Sequence, residues 1–291
     1  MTVPICQSPN PDVRPPRLVC PPGAVDCHVH VYGPESRYPI APTARFRAPD
    51  ALPADLNRVH GILGISRCVL VQPSTYGTDN RCHLDAAAAL GRPARVIVSV
   101  PFDVSDAELR RLDSLGACGA RFAVGHPGGP SFEDIARLAD RIAPLGWHLE
   151  FHIRREPGDD DTLARAEKTL RSLPVDLCIA HVASLEPERG LQQPDMDFLR
   201  DWLRSGRCWL KLSGGYRVSA QAPYRDVIPL AAALVAARPD RMLWGSDWPH
   251  VEVKGPMPQT TDQLDYLLDW VPDATIRDRI LVENPVAFYR L

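Results

Sequence analysis

The chain has 291 residues, 45% hydrophobic and 24% charged, which is the balance of a folded globular protein and excludes a disordered one. Thirty-three Lys and Arg against 36 Asp and Glu give a formal charge of −3, leaving no broad basic field for nucleic acid or an anionic membrane. No apolar run approaches the roughly 20 residues of a membrane span, no leader pattern is visible, and the eight cysteines lack a CxxC pair, so a cytoplasmic protein with free thiols is expected.

Residues 1–22 carry seven prolines, which fix φ and lack an N–H, so an extended arm is expected there, ahead of a single domain at 23–291. Short apolar runs then follow at 25–30, 68–74, 95–102, 118–124, 147–153, 176–182, 208–213 and 241–247. Each is rich in Val, Ile, Leu or aromatic residues, as a strand covered by helices should be. Helical patterns separate them. Ser105 with Glu108, and Ser131 with Asp134, read as capping boxes. Leu109, Leu112 and Leu115 form an apolar stripe, as do Ile135, Leu138 and Ile142, and Gly116, Gly146 and Gly206 fall where helices should stop. Eight strand–helix units in one chain of this length predict a single (β/α)8 TIM barrel. A doubly wound open sheet competes, but no GxGxxG follows the first run.

In such a barrel the chemistry sits at the C-terminal ends of the strands. Alternation places Asp26, His28 and His30 on one face, Gln72 and Ser74 on another, and His148, Glu150 and His152 on a third. Arg121, His181, Lys211, Ser213 and Asp247 fall at or near the ends of other runs. Polar groups inside apolar strands are costly unless paired, so these should line a wet cavity. The sharpest pattern is His28-Val-His30. Two imidazoles about two rises of roughly 3.3 Å apart suit two nitrogen ligands on one metal, or two donors on one substrate. A buried structural pair is the bland alternative, outweighed by His152, His181 and Asp247 at three other strand ends. His60, His83, His126 and His148 read as structural. His250 is intermediate, a substrate contact or a group that orients one. Arg121 has the geometry to clamp a carboxylate; Arg217 is a weaker candidate, Ser74 a polar contact, and Lys211 a buried ion-pair partner.

The stretches Ala24-Val-Asp-Cys-His28-Val-His30-Val-Tyr-Gly33, Val71-Gln-Pro-Ser74, Gly77-Thr-Asp-Asn80, Trp244-Gly-Ser-Asp247-Trp-Pro-His250 and Glu283-Asn-Pro285 resemble the amidohydrolase superfamily. Within amidohydrolase family 2 they are most similar to the branch holding 2-pyrone-4,6-dicarboxylate lactonase and related sugar-lactone enzymes. The resemblance implies a TIM barrel with His28, His30, His181 and Asp247 at the core of the site. It implies Asp247 as the base that activates water, and arginines that hold substrate carboxylates. Three departures stand out. His152 takes the place of a tyrosine at the end of strand five, Ser184 that of an arginine after the strand-six histidine, and Gly125-His-Pro-Gly-Gly129 that of a basic stretch after strand four. A smaller or less charged lactone is therefore expected.

Two readings of the centre stay open at this stage. His28, His30, His152 and Asp247 form a three-nitrogen, one-oxygen set suited to Zn²⁺. Without a metal, charged His28 and His30 would polarise the carbonyl. The expected reaction is hydrolysis of a small carboxylated lactone. A lactone isomerase using an internal hydroxyl, a metal-dependent decarboxylase and a non-catalytic binding barrel are the alternatives.

Overall fold

Strands buried on both faces need apolar side chains at nearly every position, and eight such segments form one parallel sheet. In the computed structural model, which describes residues 3–126, 129–155, 158–159 and 161–291, they are β1 (Val25–Val29), β2 (Arg67–Val71), β3 (Ala94–Val98), β4 (Ala117–Val124), β5 (His148–Ile153), β6 (Leu177–Ile179), β7 (Cys208–Ser213) and β8 (Met242–Gly245). Neighbours in the sheet follow sequence order throughout, and helices intervene, giving a (β/α)8 TIM barrel. Closure runs through backbone bonds just beyond β8. The Asp247 N–H donates to the His28 carbonyl and the His30 N–H to the Trp248 carbonyl, both at 2.8 Å. Gly245 makes that seam possible, since a Cβ there would lie 2.5 Å from His28 Cβ.

Several strands stop short of the apolar runs that signal them. Beyond Val71, Gln72 and Pro73 lead into a turn, and beyond Ile179 the chain bends at His181. The residues at these ends are thereby delivered on turns, not on strands. The Ser105 and Ser131 hydroxyls cap the helices Asp106–Ser114 and Phe132–Ile142, each accepting a backbone N–H at 3.1 Å. The carboxylate halves of the expected capping boxes go elsewhere. Glu108 pairs with Arg111, and Asp134 takes the Ser131 hydroxyl and Arg137.

Two apolar layers hold the barrel. Ile135, Leu138 and Ile142 belong to the outer one, between helices and sheet; each fully buried aliphatic side chain contributes about 1.5–3 kcal/mol. Val25, Cys27, Val69, Val71, Ile97, Cys178, Trp209 and Leu243 fill the interior together with Tyr289 of the C-terminal helix Asn284–Tyr289. Phe288 of that helix packs on Trp209 and His148, both at 4.4 Å between ring centres. The proline-rich arm lies on the body. Ile5 bridges to Arg47, Gln7 reaches the Gly255 carbonyl, and Asp265 accepts the Arg17 and Leu18 N–H groups. All eight cysteines are free, and among the described residues no helix is long and apolar enough to cross a membrane.

Candidate active site

Strand β1 departs from simple alternation. Its register against β2 shifts between Asp26 and Val29, so Asp26 does not share the cavity face expected of it. Its Oδ2 meets His60 Nε2 at 3.1 Å, on the helix layer, while Oδ1 accepts the His28 and Ser246 N–H groups at 3.1 and 3.0 Å. Asp26 thus ties β1 to β8. The bulge leaves His28 and His30 converging on Asp247, their Nε2 atoms 3.7 and 3.5 Å from Oδ1.

His181 and Asp247 reach the same place from strained turns. His181 has φ 55°, Asp247 has φ 62°, and the residues 182–184 also lie at positive φ. Non-glycine residues in this region cost about 1–3 kcal/mol each and concentrate at functional sites. Gly214, also at positive φ, makes room beside them; a Cβ there would stand 2.9 Å from His181 Nδ1 and 3.2 Å from Arg217 Cδ.

The donor atoms of His28, His181 and Asp247 all lie within 4.8 Å of one another, and all three side chains are buried. His28 Nε2 and Asp247 Oδ1 have no hydrogen-bond partner. His30 Nδ1 lies 2.6 Å from the Val71 carbonyl, so it carries the proton and the neutral ring turns its Nε2 lone pair toward Asp247 Oδ1. The unpartnered His28 Nε2 and Asp247 Oδ1, with a His181 nitrogen within 4.8 Å of both donors, form a set that fits a divalent ion. The trio differs from the set expected from sequence. His152 stands to one side, its Nδ1 accepting from Arg121 at 3.1 Å and its ring 5.2 Å from that of His181.

Burial holds His28, His30, His152 and His181 below the ordinary imidazole pKa, His28 further by the Lys211 charge. Burial thus works against the charged forms of His28 and His30 that metal-free polarisation of a carbonyl would use. Asp247 goes the other way. Burial pushes its pKa up, but Arg217, His181, His30 and His28 override it and hold the carboxyl well below the usual range. Its Oδ2 accepts the Tyr216 hydroxyl at 2.5 Å and the Arg217 Nε–H. Beneath the histidines, Lys211 Nζ donates to Glu150 Oε2 at 2.5 Å with both side chains fully buried, and also lies 3.3 Å from His28 Nδ1.

Above the trio opens a small cavity whose wall includes His30, Ser74, Arg121, Arg154, His181 and Arg217. Arg121 donates to the Gln72 carbonyl at 2.7 Å and to His152, and its Nε has no partner. No carboxylate pairs with it among the described residues. Arg217 lines the cavity while bound to Asp247, so its first task is to hold that carboxylate. Ser74 is an exposed wall residue. His250 lies behind the cavity, with Nδ1 3.3 Å from the Tyr216 hydroxyl and Nε2 2.9 Å from Thr260 Oγ1; both nitrogens are engaged, and the ring supports Tyr216 in place of the expected substrate contact. Pro127 and Gly128 of the Gly125–Gly129 stretch fall outside the described residues. Sequence reasoning missed Tyr216, Arg154 and Glu252. Arg154 was findable, because it continues the alternation His148, Glu150, His152.

A profile of the amidohydrolase family matches residues 25–291. A 4-sulfomuconolactone hydrolase of Hydrogenophaga intermedia is 37% identical, over 97% of this chain and 93% of its own. A 2-pyrone-4,6-dicarboxylate hydrolase of Comamonas testosteroni is 33% identical, over 94% and 92%. A D-galactarolactone isomerase of Agrobacterium fabrum is 30% identical, over 95% and 94%.

Proposed function

The chain belongs to the amidohydrolase family, and from that premise we propose that it opens the ring of a small carboxylated lactone by attack of water. Two relatives are hydrolases of substrates of this kind. The observation that carries the reading is the buried Asp247, whose partnerless Oδ1 faces the equally partnerless His28 Nε2 at 3.7 Å, beside the His30 and His181 that line the cavity. Arg121, a half-buried guanidinium with no carboxylate partner among the described residues, holds the substrate carboxylate and sets the ring beside Asp247.

Water adds to the lactone carbonyl carbon, the carbonyl oxygen takes the negative charge, and the ring C–O bond breaks as charge returns. Asp247 takes the water proton and hands it to the leaving ring oxygen, so it ends as it began. Arg217 and Tyr216 keep its Oδ2 occupied and leave Oδ1 for the proton. His28, His181 and Asp247 would hold a divalent ion such as Zn²⁺, which would acidify a water and polarise a carbonyl when bound. The isomerase relative marks the second reading, in which a hydroxyl of the substrate replaces water.

Ring opening of pyrone, muconolactone and aldonolactone carboxylates releases a proton and is followed at constant pH. The metal-supplemented enzyme should open at least one of them, and Asp247→Asn should lower kcat by about 10²–10⁴ while the protein stays folded. A folded, metal-replete Asp247→Asn enzyme with near-normal kcat would move the base elsewhere, to His181 first.

A further inference from the structure

Beyond β5 the chain places Arg154 on the cavity wall, next to Arg121 and Arg217. Three guanidiniums therefore face one small space. Arg217 is matched by Asp247, and Arg121 by no carboxylate. Arg154 is matched only by Glu252, through one contact of 3.2 Å from its NH2 to Oε2, the longest arginine–carboxylate contact on this wall. The Arg154 Nε is buried and has no partner. The Glu252 side chain is one-third exposed, at 33%, against 20% for Arg154, so the carboxylate can swing to water while the guanidinium stays. Burial, with Arg45 and Arg217 nearby, works against the charge on Arg154, and only Glu252 supports it. This is the arrangement of a cation awaiting a better anion.

Resting on the lactonase reading, we propose that Arg154 and Glu252 form a second anion subsite. Arg121 holds the first anionic group of the substrate, and Arg154 releases Glu252 to take a second, a carboxylate or a sulfonate. The substrate class is a doubly charged lactone, not the less charged one expected from sequence. That expectation rests on the basic groups missing at Ser184 and Gly125–Gly129, and Arg154 supplies a guanidinium from another element. No bond is made or broken in the exchange; one charge-assisted hydrogen bond replaces another, and a freed Glu252 is rehydrated. A singly charged lactone would leave the pair closed, so the subsite discriminates chiefly through KM.

Two lactones of one skeleton make the test: muconolactone, and 4-sulfomuconolactone, which adds a sulfonate. A hydrogen bond to a charged group contributes about 1.5–3 kcal/mol, so kcat/KM should favour the sulfonated lactone by about 10–100-fold in the wild type. Arg154→Gln should collapse that ratio toward one through KM, Arg154→Lys should keep part of it, and Glu252→Gln should lower KM for the sulfonated lactone. An equal fall for both lactones in Arg154→Gln, or an unchanged ratio, would overturn the subsite. If the wild type opens neither of these two, the lactonase reading is decided by the pyrone and aldonolactone carboxylates instead. The subsite is then read by calorimetric binding of 2-pyrone-4,6-dicarboxylate against a 2-pyrone monocarboxylate. Tighter binding of the dicarboxylate that Arg154→Gln abolishes supports it, and equal binding overturns it.

Discussion

Glu150 and Lys211 are in contact at 2.5 Å with both side chains wholly out of water. Glu150→Leu would leave the Lys211 ammonium inside the barrel without its carboxylate, and Lys211→Met would leave the carboxylate stranded. Breaking one side of a buried pair costs about 3–5 kcal/mol. Unfolding entropy of about 2.1 cal/mol/K per residue, over 291 residues, amounts to about 0.6 kcal/mol/K. Each single variant should therefore melt about 5–8 °C below the wild type. The double variant Glu150→Leu with Lys211→Met removes both charges at similar volume and should recover most of the loss, giving a coupling of several kcal/mol in a double-mutant cycle. Thermal melts followed by circular dichroism read all of these. Activity should not recover with stability. His28 Nδ1 lies 3.3 Å from Lys211 Nζ and 3.4 Å from Glu150 Oε1, and loses both neighbours in the double variant. Additive losses, or single variants that melt within about 1 °C of the wild type, would refute a buried pair that is coupled in this way.

Arg121→Ala should raise KM by about 10–100-fold with a smaller effect on kcat, and Arg121→Lys should restore only part, since an ammonium lacks the planar fork; unchanged KM in both would return Arg121 to a structural role. Removing divalent ions should abolish activity and adding Zn²⁺ should restore it, with one ion per chain by elemental analysis; full activity in metal-free protein would remove the ion from His28, His181 and Asp247. Burial holds His148 at about 3 and His250 at about 4 against an ordinary 6.5. The unfolded chain binds protons there below pH 6.5 while the folded one does not, so stability is level above that pH and falls below it, by up to about 2 kcal/mol per histidine at pH 5. Urea midpoints at pH 7.5 and 5 check this, and a higher midpoint at pH 5 would contradict it.

The barrel was legible because each strand is a short apolar run and each helix carries a stripe and a stop, so local pattern and fold agree. Alternation failed at β1, where a bulge invisible to a period of two sends Asp26 to His60 and leaves His28 and His30 facing Asp247. The end of β6 was overrun because apolar character continues through Ala180 and Val182 into the turn, whereas beyond β2 the turn begins at Gln72-Pro73-Ser74 with no apolar continuation. His250 lies three residues after Asp247 in sequence, yet Tyr216 and Thr260, which engage it, lie 34 and 10 residues away, where no local motif announces them. The downward pull on the histidine pKa values follows from burial, a property of the closed barrel and not of the His-Val-His spacing. Arg154 was within reach of alternation along β5, and reading one residue past the apolar run would have found it.

Whether the oxygen added to the ring carbonyl comes from water is the question nearest the central claim. The enzyme, supplied with the lactone it opens best in ¹⁸O-enriched water, should place one heavy oxygen in the newly formed carboxylate of the ring-opened product at single turnover, seen by mass spectrometry. A product with no heavy oxygen, and with a lactone ring still present at a shifted position, would contradict hydrolysis and make an internal hydroxyl the nucleophile.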